Sequence, residues 1–318
     1  MIYFSMECDE MKFLIGSYAE GVYSANLNMD TKRIESINQL NNLNKPTYLT
    51  KTKDGFATYF KHNDMYAIGI FDKNFNMIKQ RLFPDAPCHI SYSSSQNLFF
   101  VSSYHEGTLL VFDKNLNLVQ RIAYGTNAKI HFAEYVDDIE SLIVVDLGLN
   151  SIYRYTIDQL HMKLIETIRF AGNPGPRHFT YSKSNKTLYV IHEYECSVTF
   201  HAFKDNYFVE THKMFLPRND RSSASAIRIT QDEKFLYLAN RGRESLSVIN
   251  IELKELIQTV DTYGEHPRDF NLSLDEKFVV VANMHSDNLT LFERDSATGK
   301  LTLLQKDIYL KKGAAILF

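Results

Sequence analysis

The sequence predicts an all-β fold, a seven-bladed β-propeller with about four antiparallel strands per blade, as a single domain over residues 1–318. Three observations lead to this prediction. The composition is that of an ordinary globular protein, pairs of short apolar strands recur at a nearly constant spacing, and no long amphipathic helical pattern interrupts them.

The composition excludes several classes of protein and partner. Phe and Tyr number 22 and 19, charged residues make up 23%, and the chain has only 13 Gly and 7 Pro, unlike a disordered or collagen-like sequence. The 35 basic and 38 acidic residues give a net charge of −3, which argues against a surface that neutralises many nucleic-acid phosphates. We therefore expect no nucleic-acid partner.

Targeting and metal-binding signals are missing from the sequence. The first ten residues carry two Glu and one Asp where a signal peptide would have lysines and an apolar run. No apolar stretch approaches the roughly 20 residues of a membrane-spanning helix. Cys8, Cys88 and Cys196 lie far apart without Cys-x-x-Cys spacing, and no His-x-x-x-His occurs. These features predict a cytoplasmic protein without a membrane partner, a metal or another cofactor.

Each repeat contains two alternating strands separated by a short polar turn, such as Phe235–Asn240 followed by Ser245–Ile251. The first residue of the second strand recurs seven times, every 43 to 48 residues, at Gly21, Met65, Thr108, Ser151, Ser197, Ser245 and Asn288. This period is typical of propeller blades, whereas a β-sandwich has no reason to repeat so regularly. The apolar ending Gly313–Phe318 predicts a last strand that pairs near the N-terminus and closes the ring.

A further strand precedes most of these pairs, opens with Pro or a small residue, and carries basic side chains. Strict alternation places five of them on one face, which lines the channel of a propeller: Lys129, His131, Arg177, Arg228 and Arg268. Basic groups that converge in a confined space repel one another unless an anion compensates them. The sequence therefore predicts a small anionic ligand in the channel, although any one arginine alone is more simply a structural donor.

The predicted roles of other polar residues in these and the neighbouring strands are less specific. His89 and His178 fall on the opposite face from the basic column, together with Asp269, which predicts packing between blades. Asp146 and Glu193 follow the end of a neighbouring strand, where binding residues concentrate. For Asp146, a role as the cap of the turn Asp146–Gly148 explains the residue equally well.

Several segments resemble those of the seven-bladed lactonase family, which contains propeller-type 6-phosphogluconolactonases and carboxy-cis,cis-muconate cyclases. The matching segments follow one another along the chain: Gly175–His178, Leu188–Glu193, Phe235–Gly242, His266–Phe270, Val281–Asn283 and Asp295–Leu301. The resemblance implies that His131, Arg177, Glu193 and Arg241 form the catalytic group. Two positions depart from the family pattern, because Ala226 stands where an acid is usual and Asn150–Ser151 stands where Asp-Arg is common.

The resemblance also implies a reaction, the hydrolysis of a sugar lactone, with 6-phosphogluconolactone as the expected substrate and 6-phosphogluconate of the pentose phosphate pathway as the product. Either His131 or Glu193 would be the general base, and the residues leave this choice open. Arg177 and Arg241 would stabilise the oxyanion. The expected substrate-binding residues are Lys129, Asp146, Arg268 and Asn283, with Lys129 and Arg268 holding the phosphate.

Two other functions fit the same sequence. The same catalytic group would serve a muconate-type lactonizing cyclase, in which a carboxylate adds within its own molecule. A non-enzymatic scaffold that binds a partner protein on its faces would instead use the channel arginines only structurally. The sequence assigns no role to Arg228 and no oligomeric state.

Overall fold

The computed structural model describes residues 10–318, so the predictions that concern Cys8 and the start of the chain lie outside the described residues. These residues form 28 strands and one 3-10 turn, Asp137–Ile139. They divide into two compact units. The first unit comprises the described residues up to Thr47 with Cys196–Val198 and Met214–Phe318, and the second comprises Tyr48–Glu195 with Thr199–Lys213.

The first unit contains three four-stranded antiparallel sheets, with strand orders β28-β1-β2-β3, β20-β21-β22-β23 and β24-β25-β26-β27. Their strands are β1 (Glu10–Ser17), β2 (Tyr23–Asn28), β3 (Arg33–Gln39), β20 (Ser223–Ile229), β21 (Phe235–Arg241), β22 (Ser245–Asn250), β23 (Glu255–Asp261), β24 (Pro267–Leu272), β25 (Phe278–Asn283), β26 (Asn288–Arg294), β27 (Leu301–Tyr309) and β28 (Gly313–Leu317).

The second unit holds most of the residues of four further sheets, which run from β4 to β19 with every strand paired to its neighbour in sequence. Their strands are β4 (Leu49–Lys51), β5 (Gly55–His62), β6 (Met65–Asp72), β7 (Met77–Phe83), β8 (Pro87–Ser93), β9 (Leu98–Ser103), β10 (Thr108–Asp113), β11 (Leu118–Ala123), β12 (Ile130–Val136), β13 (Ser141–Asp146), β14 (Ser151–Asp158), β15 (His161–Arg169), β16 (Pro176–Ser182), β17 (Thr187–His192), β18 (Ser197–Lys204) and β19 (Tyr207–Phe215).

Seven sheets of four antiparallel strands confirm the predicted fold class, an all-β seven-bladed propeller. Six of the seven repeat markers are the first residue of the third strand of their blade, from Met65 in β6 to Asn288 in β26. In the remaining blade, β2 begins at Tyr23, two residues after the marker Gly21. The single domain predicted over residues 1–318 stays a prediction.

The second and fourth strands of a blade differ in burial, and their sequences explain why. Every residue of β9, β13, β21 and β25 is buried, which accounts for their nearly continuous apolar character. In contrast, six of the seven residues of β7 are exposed, and this strand contains Lys79, Gln80 and Arg81. Charged residues on an edge strand discourage pairing with another chain.

The chain ends as predicted, with the last strand paired to the first described one. Strand β28 pairs antiparallel with β1, and Ile316 lies opposite Ile15. The rings of Phe13 and Phe318 lie 4.8 Å apart between centroids, within an apolar cluster that also includes residues of β25 and β26. Both ends of the described chain are thus held by one sheet, which protects them from fraying.

The expected two-residue alternation is interrupted in β8, β12, β16 and β24. Each strand carries a β-bulge directly after its opening residue, so that two of its residues oppose one residue of the neighbouring strand. The bulged residues are Cys88, His131, Arg177 and Arg268. These four therefore occupy equivalent positions of their blades.

The bulges correct the predicted five-residue basic face. Lys129 precedes the first residue of β12 and does not share the strand position of Arg177. Arg228 pairs with Tyr237, as Thr180 pairs with Tyr189, so it too stands elsewhere in its blade. Strict alternation failed because a bulge shifts the side-chain period by one residue.

Candidate active site

An ion pair between Arg177 and Glu193 is the centre of the candidate site in the second unit. Arg177 is the bulged residue of β16, and Glu193 directly follows the last residue of β17. The backbone N–H of Glu193 donates to the carbonyl of Gly175 at 2.6 Å, which brings the two chain segments together. Arg177 Nε lies 2.9 Å from Glu193 Oε2, and 2% of the arginine side chain and 19% of the glutamate side chain are exposed.

His178 lies on the other side of the Arg177 guanidinium. Arg177 Nη1 is 3.2 Å from His178 Nε2, and both residues are buried. The imidazole packs against the rings of Phe132 and His131, at centroid distances of 4.6 and 5.1 Å. The guanidinium is therefore placed between a carboxylate and an imidazole, two groups that accept hydrogen bonds.

Two predicted site residues extend this group, because His131 packs against His178 and Lys129 is connected to His131 through Tyr104. The Tyr104 ring stands edge-on to His131, with centroids 6.0 Å apart, and Lys129 Nζ lies 5.2 Å from the centre of the Tyr104 ring. A cation at this distance from an aromatic face is attracted to it. A continuous series of side-chain contacts, which includes Tyr104 and His178, thus connects four of the predicted residues: Lys129, His131, Arg177 and Glu193.

The loop before Arg177 is fixed by contacts that depend on glycine and asparagine. Gly175 has φ +69, and a Cβ there would lie 2.6 Å from the Tyr194 ring. Its N–H donates to Asn150 Oδ1 at 3.0 Å, and Asn150 Nδ2 donates to Asn173 Oδ1 at 2.9 Å. Asn150, one of the departures from the family pattern, therefore holds the loop that leads into Arg177.

The Asp146 carboxylate organises the turn that follows β13. Its Oδ1 accepts from the backbone N–H groups of Lys129, Gly148 and Leu149 at 2.8, 3.0 and 3.0 Å. Its Oδ2 accepts from the Tyr153 hydroxyl at 3.3 Å, and the residue is fully buried. These contacts are those of a turn cap, while substrate binding by Asp146 stays a prediction.

Replacing Asp146 by Ala should lower the free energy of unfolding by about 3 kcal/mol, because three backbone donors lose their acceptor. Asp146→Asn keeps an oxygen at the Oδ1 position and should cost about 1 kcal/mol. Urea denaturation followed by fluorescence or circular dichroism measures both values. Equal stability of the Ala variant and the wild type would show that the turn does not depend on this carboxylate.

The other predicted site residues belong to the first unit and mostly have structural contacts there. Arg241 is buried and donates from Nε to the Ser223 carbonyl and from Nη2 to the Ala224 carbonyl, both at 3.0 Å. Asn283 Nδ2 donates to Thr290 Oγ1 at 3.0 Å within the core. Their predicted roles in catalysis and substrate binding stay predictions.

Two further arginines of this unit have identifiable neighbours. The Arg268 guanidinium carbon lies 5.5 Å from the centre of the Tyr18 ring, an arrangement like that of Lys129 and Tyr104. Arg228, to which the sequence assigned no role, forms an ion pair with the buried Asp269, with Nη2 2.8 Å from Oδ1. Asp269 therefore compensates the charge of Arg228.

Two buried histidines beside the site are held in the neutral form. His192 Nε2 and His201 Nε2 lie 2.8 and 2.9 Å from the Thr199 hydroxyl. Desolvation by burial lowers the pKa of His192 to about 3 and that of His201 to about 4, from a usual value of 6.5. Both imidazoles are thus uncharged in the folded protein near neutral pH.

We expect these histidines to make stability depend on pH. The unfolded chain binds protons at both residues below about pH 6.5 and the folded chain does not, so stability is complete above that pH and falls as the pH decreases towards the folded values. Between pH 7 and pH 5 each histidine should cost about 2 kcal/mol. Urea denaturation across this range measures the loss, which His201→Gln should reduce and His161→Gln, at an exposed position, should leave unchanged. An equally steep loss in the His201→Gln variant would contradict the assignment.

Two features are absent from residues 10–318. No group of three or more His, Cys, Asp or Glu side chains in this part of the chain could hold a metal ion. No helix within the same residues has the length and apolar character needed to cross a membrane.

Sequence reasoning underestimated two residues of the site. His178 was assigned to packing because alternation points it away from Arg177, and only the bulge brings the two side chains together. Tyr104 carried no signal beyond its place after the end of β9, one residue before His105. The signal that could have indicated His178 is the run of ring-bearing residues directly after the bulged position of three blades, at His89, Phe132 and His178.

Comparison with known proteins gives a consistent result along the whole chain. The family model described as "Lactonase, 7-bladed beta-propeller" matches residues 12–318. A protein of Bacillus subtilis (strain 168) named 6-phosphogluconolactonase is 29% identical, over 92% of this chain and 94% of that protein. An uncharacterized protein of Staphylococcus saprophyticus is 26% identical, over 96% of this chain and 98% of that protein.

Among solved structures, a Lactobacillus plantarum protein is similar throughout. It superimposes with a TM-score of 0.91 at 27% sequence identity and covers 97% of this chain and 99% of its own. The similarity therefore extends over nearly all of both chains.

Proposed function

Because the chain belongs to the seven-bladed β-propeller lactonase family, we propose that it is a carboxylic-ester hydrolase that opens a sugar lactone, with 6-phosphogluconolactone as its substrate. The product would be the open-chain acid, 6-phosphogluconate. The name of the Bacillus subtilis relative supports the choice of substrate. We further propose that the reaction takes place in the cytoplasm and needs no metal or other cofactor.

This proposal rests on the buried Arg177–Glu193 ion pair. Arg177 contacts His178, and His178 packs against His131. A buried guanidinium that is held by an ion pair with Glu193 and a hydrogen bond to His178 is suited to stabilise negative charge that develops on a carbonyl oxygen. Two titratable groups that can transfer protons, Glu193 and His131, belong to the same series of contacts. Lactone hydrolysis requires both stabilisation of the oxyanion and transfer of protons.

The proposed reaction has two steps. First, a water oxygen attacks the lactone carbonyl carbon while a base removes one of its protons, and the carbonyl oxygen becomes an oxyanion beside Arg177. The bond between this carbon and the ring oxygen then breaks, and the ring oxygen takes back the proton held by the base and becomes a hydroxyl group. The carboxylic acid formed at the same carbon releases its remaining proton to solvent, and the negative charge of the resulting carboxylate is again close to the guanidinium.

Lys129 is our candidate for binding the substrate phosphate in the second unit. Its ammonium group lies over the Tyr104 ring, which in turn packs against His131, and its described contacts include no acidic partner. A phosphate carries three acceptor oxygens and attracts such a point charge. Lys129→Ala should therefore raise KM for 6-phosphogluconolactone about tenfold and change KM for unphosphorylated gluconolactone less than threefold. Equal effects on both substrates would argue against this assignment.

The test of the proposed function is hydrolysis of freshly prepared 6-phosphogluconolactone by the purified protein, measured against the spontaneous rate. Formation of 6-phosphogluconate can be followed with a coupled NADP-dependent dehydrogenase, with gluconolactone as the parallel substrate. We expect acceleration that depends on protein concentration. The absence of any acceleration with both lactones would refute the proposal.

The general base can be identified with two variants, Glu193→Gln and His131→Asn. Each keeps a polar side chain of similar size and removes one group that accepts a proton. The variant that lacks the base should lose about a hundredfold in kcat and also the acidic limb of the pH–rate profile. The other variant should keep that limb.

A further inference from the structure

The bulge in β16 creates an unusual pair, because two consecutive residues contact each other through their side chains. In a regular strand, Arg177 and His178 would point to opposite faces. Here Pro176 pairs with His192 and His178 pairs with Ile191, so Arg177 is the additional residue of the bulge. As a result, Arg177 Nη1 and His178 Nε2 are 3.2 Å apart, and the two residues are 1% and 3% exposed.

The chemistry of the two groups determines the direction of this hydrogen bond. A guanidinium has five N–H donors and no acceptor, so Arg177 must donate. His178 Nε2 must then carry a lone pair, which requires a neutral imidazole with its proton on Nδ1. The contact therefore specifies one tautomer of one histidine.

The surroundings of His178 fix the orientation of its ring. Phe132 and His131 pack against it at 4.6 and 5.1 Å, and the rings of His89 and Tyr48 follow at 6.1 and 6.4 Å between centroids. Rings held in this way by several strands have little rotational freedom. The Nε2 lone pair consequently points in a constant direction.

We propose that His178, as the neutral Nδ1–H tautomer, is a positioning residue that fixes the guanidinium plane of Arg177. This inference rests on the function proposed above. Glu193 Oε2 lies 2.9 Å from Nε in an ion pair, and His178 Nε2 accepts a hydrogen bond from Nη1 at 3.2 Å. The ion pair holds the charged group in place and the directional hydrogen bond to His178 sets its plane, so the oxyanion meets N–H donors whose direction is already set. His178 acts through Arg177 and transfers no proton.

The kinetic test compares three variants on a lactone that the wild type hydrolyses. His178→Phe keeps a ring in the cluster but removes the acceptor, and it should lower kcat about thirtyfold while KM changes less than threefold. His178→Gln provides a carbonyl oxygen as acceptor and should recover kcat to within about fivefold of the wild type. His89→Phe is the matched control, since His89 packs in the same ring cluster beside Phe132, and it should stay within about threefold.

A second measurement tests the contact without any substrate. In ¹⁵N-histidine-labelled wild-type protein at pH 7, the two ring nitrogens of His178, assigned by comparison with His178→Phe, should show a protonated Nδ1 and an unprotonated Nε2. A protonated Nε2 would overturn the proposal, and so would full kcat in a folded His178→Phe variant or equal loss in His178→Gln and His178→Phe. An inactive wild type would refute the proposed function and the positioning role with it, while the NMR result would still decide whether the hydrogen bond exists.

Discussion

Arg177→Gln is expected to lower kcat/KM for lactone hydrolysis about a hundredfold or more. The substitution removes the charge that stabilises the oxyanion, and loss of one such donor costs about 3 kcal/mol of transition-state stabilisation. It also leaves Glu193 without the guanidinium that lies 2.9 Å from its carboxylate. Initial rates at saturating and limiting lactone concentrations separate the effect on kcat from the effect on KM.

Arg154 provides the matched control for this experiment. It is also a buried arginine of the second unit in an ion pair, with Nε 2.8 Å from Glu166 Oε2, and its Nη1 donates to Asn206 Oδ1 at 3.1 Å. Arg154→Gln should reduce stability by about 3 kcal/mol, because it breaks a buried pair, and should leave the kcat of the folded protein within about twofold. Similar losses of kcat in both variants would mean that Arg177 is only structural.

Gly242→Ala is expected to have the largest effect on stability, a loss of about 4 kcal/mol or failure to fold. Gly242 has φ +79, a conformation that is unfavourable for any residue with a Cβ. An added Cβ would lie 2.1 Å from the carbonyl oxygen of Arg221, which is backbone and cannot rotate away. The two loops are also joined by a hydrogen bond from Asn219 Nδ2 to the Gly242 carbonyl at 3.0 Å.

A substitution at Gly172 distinguishes the two causes of the expected loss of stability, which are the backbone strain at positive φ and the contact with the Arg221 carbonyl. It has a similar φ of +76, but a Cβ there would meet nothing within 4 Å. Gly172→Ala should therefore cost only the conformational strain, about 1 kcal/mol. Thermal and urea unfolding of both variants provide the comparison, and equal losses would show that the contact with Arg221 contributes nothing.

The turn residues show how much of the site could be predicted from sequence. The segment Asp146–Gly148 indicated both a turn cap and a loop-edge site residue, and its hydrogen bonds to three backbone N–H groups are those of the cap. Such local contacts follow from residue type and spacing. The contact of Lys129 with Tyr104 joins two loops, and no local pattern in the sequence contains it.

Blade number, blade composition and the final strand could be obtained from the sequence alone. The spacing of strand pairs and the alternation within them are local properties, and they follow from the need of each sheet to bury its faces. The apolar segment Gly313–Phe318 predicts a strand that pairs near the N-terminus, and the strand within it pairs with β1. The basic residues of the candidate site, Arg177 among them, could also be identified from the sequence.

Which of these side chains contact one another was decided only by the tertiary structure. A β-bulge brings the side chain of Arg177 into contact with that of His178, although strict alternation would point the two side chains to opposite faces of the sheet. Arg228 finds its partner Asp269 on another sheet. A bulge adds one unpaired residue to a strand and so changes the direction in which the following side chains point relative to strict alternation. For that reason the sequence determined the propeller and the candidate residues, and the structure determined that Arg177 is held between Glu193 and His178.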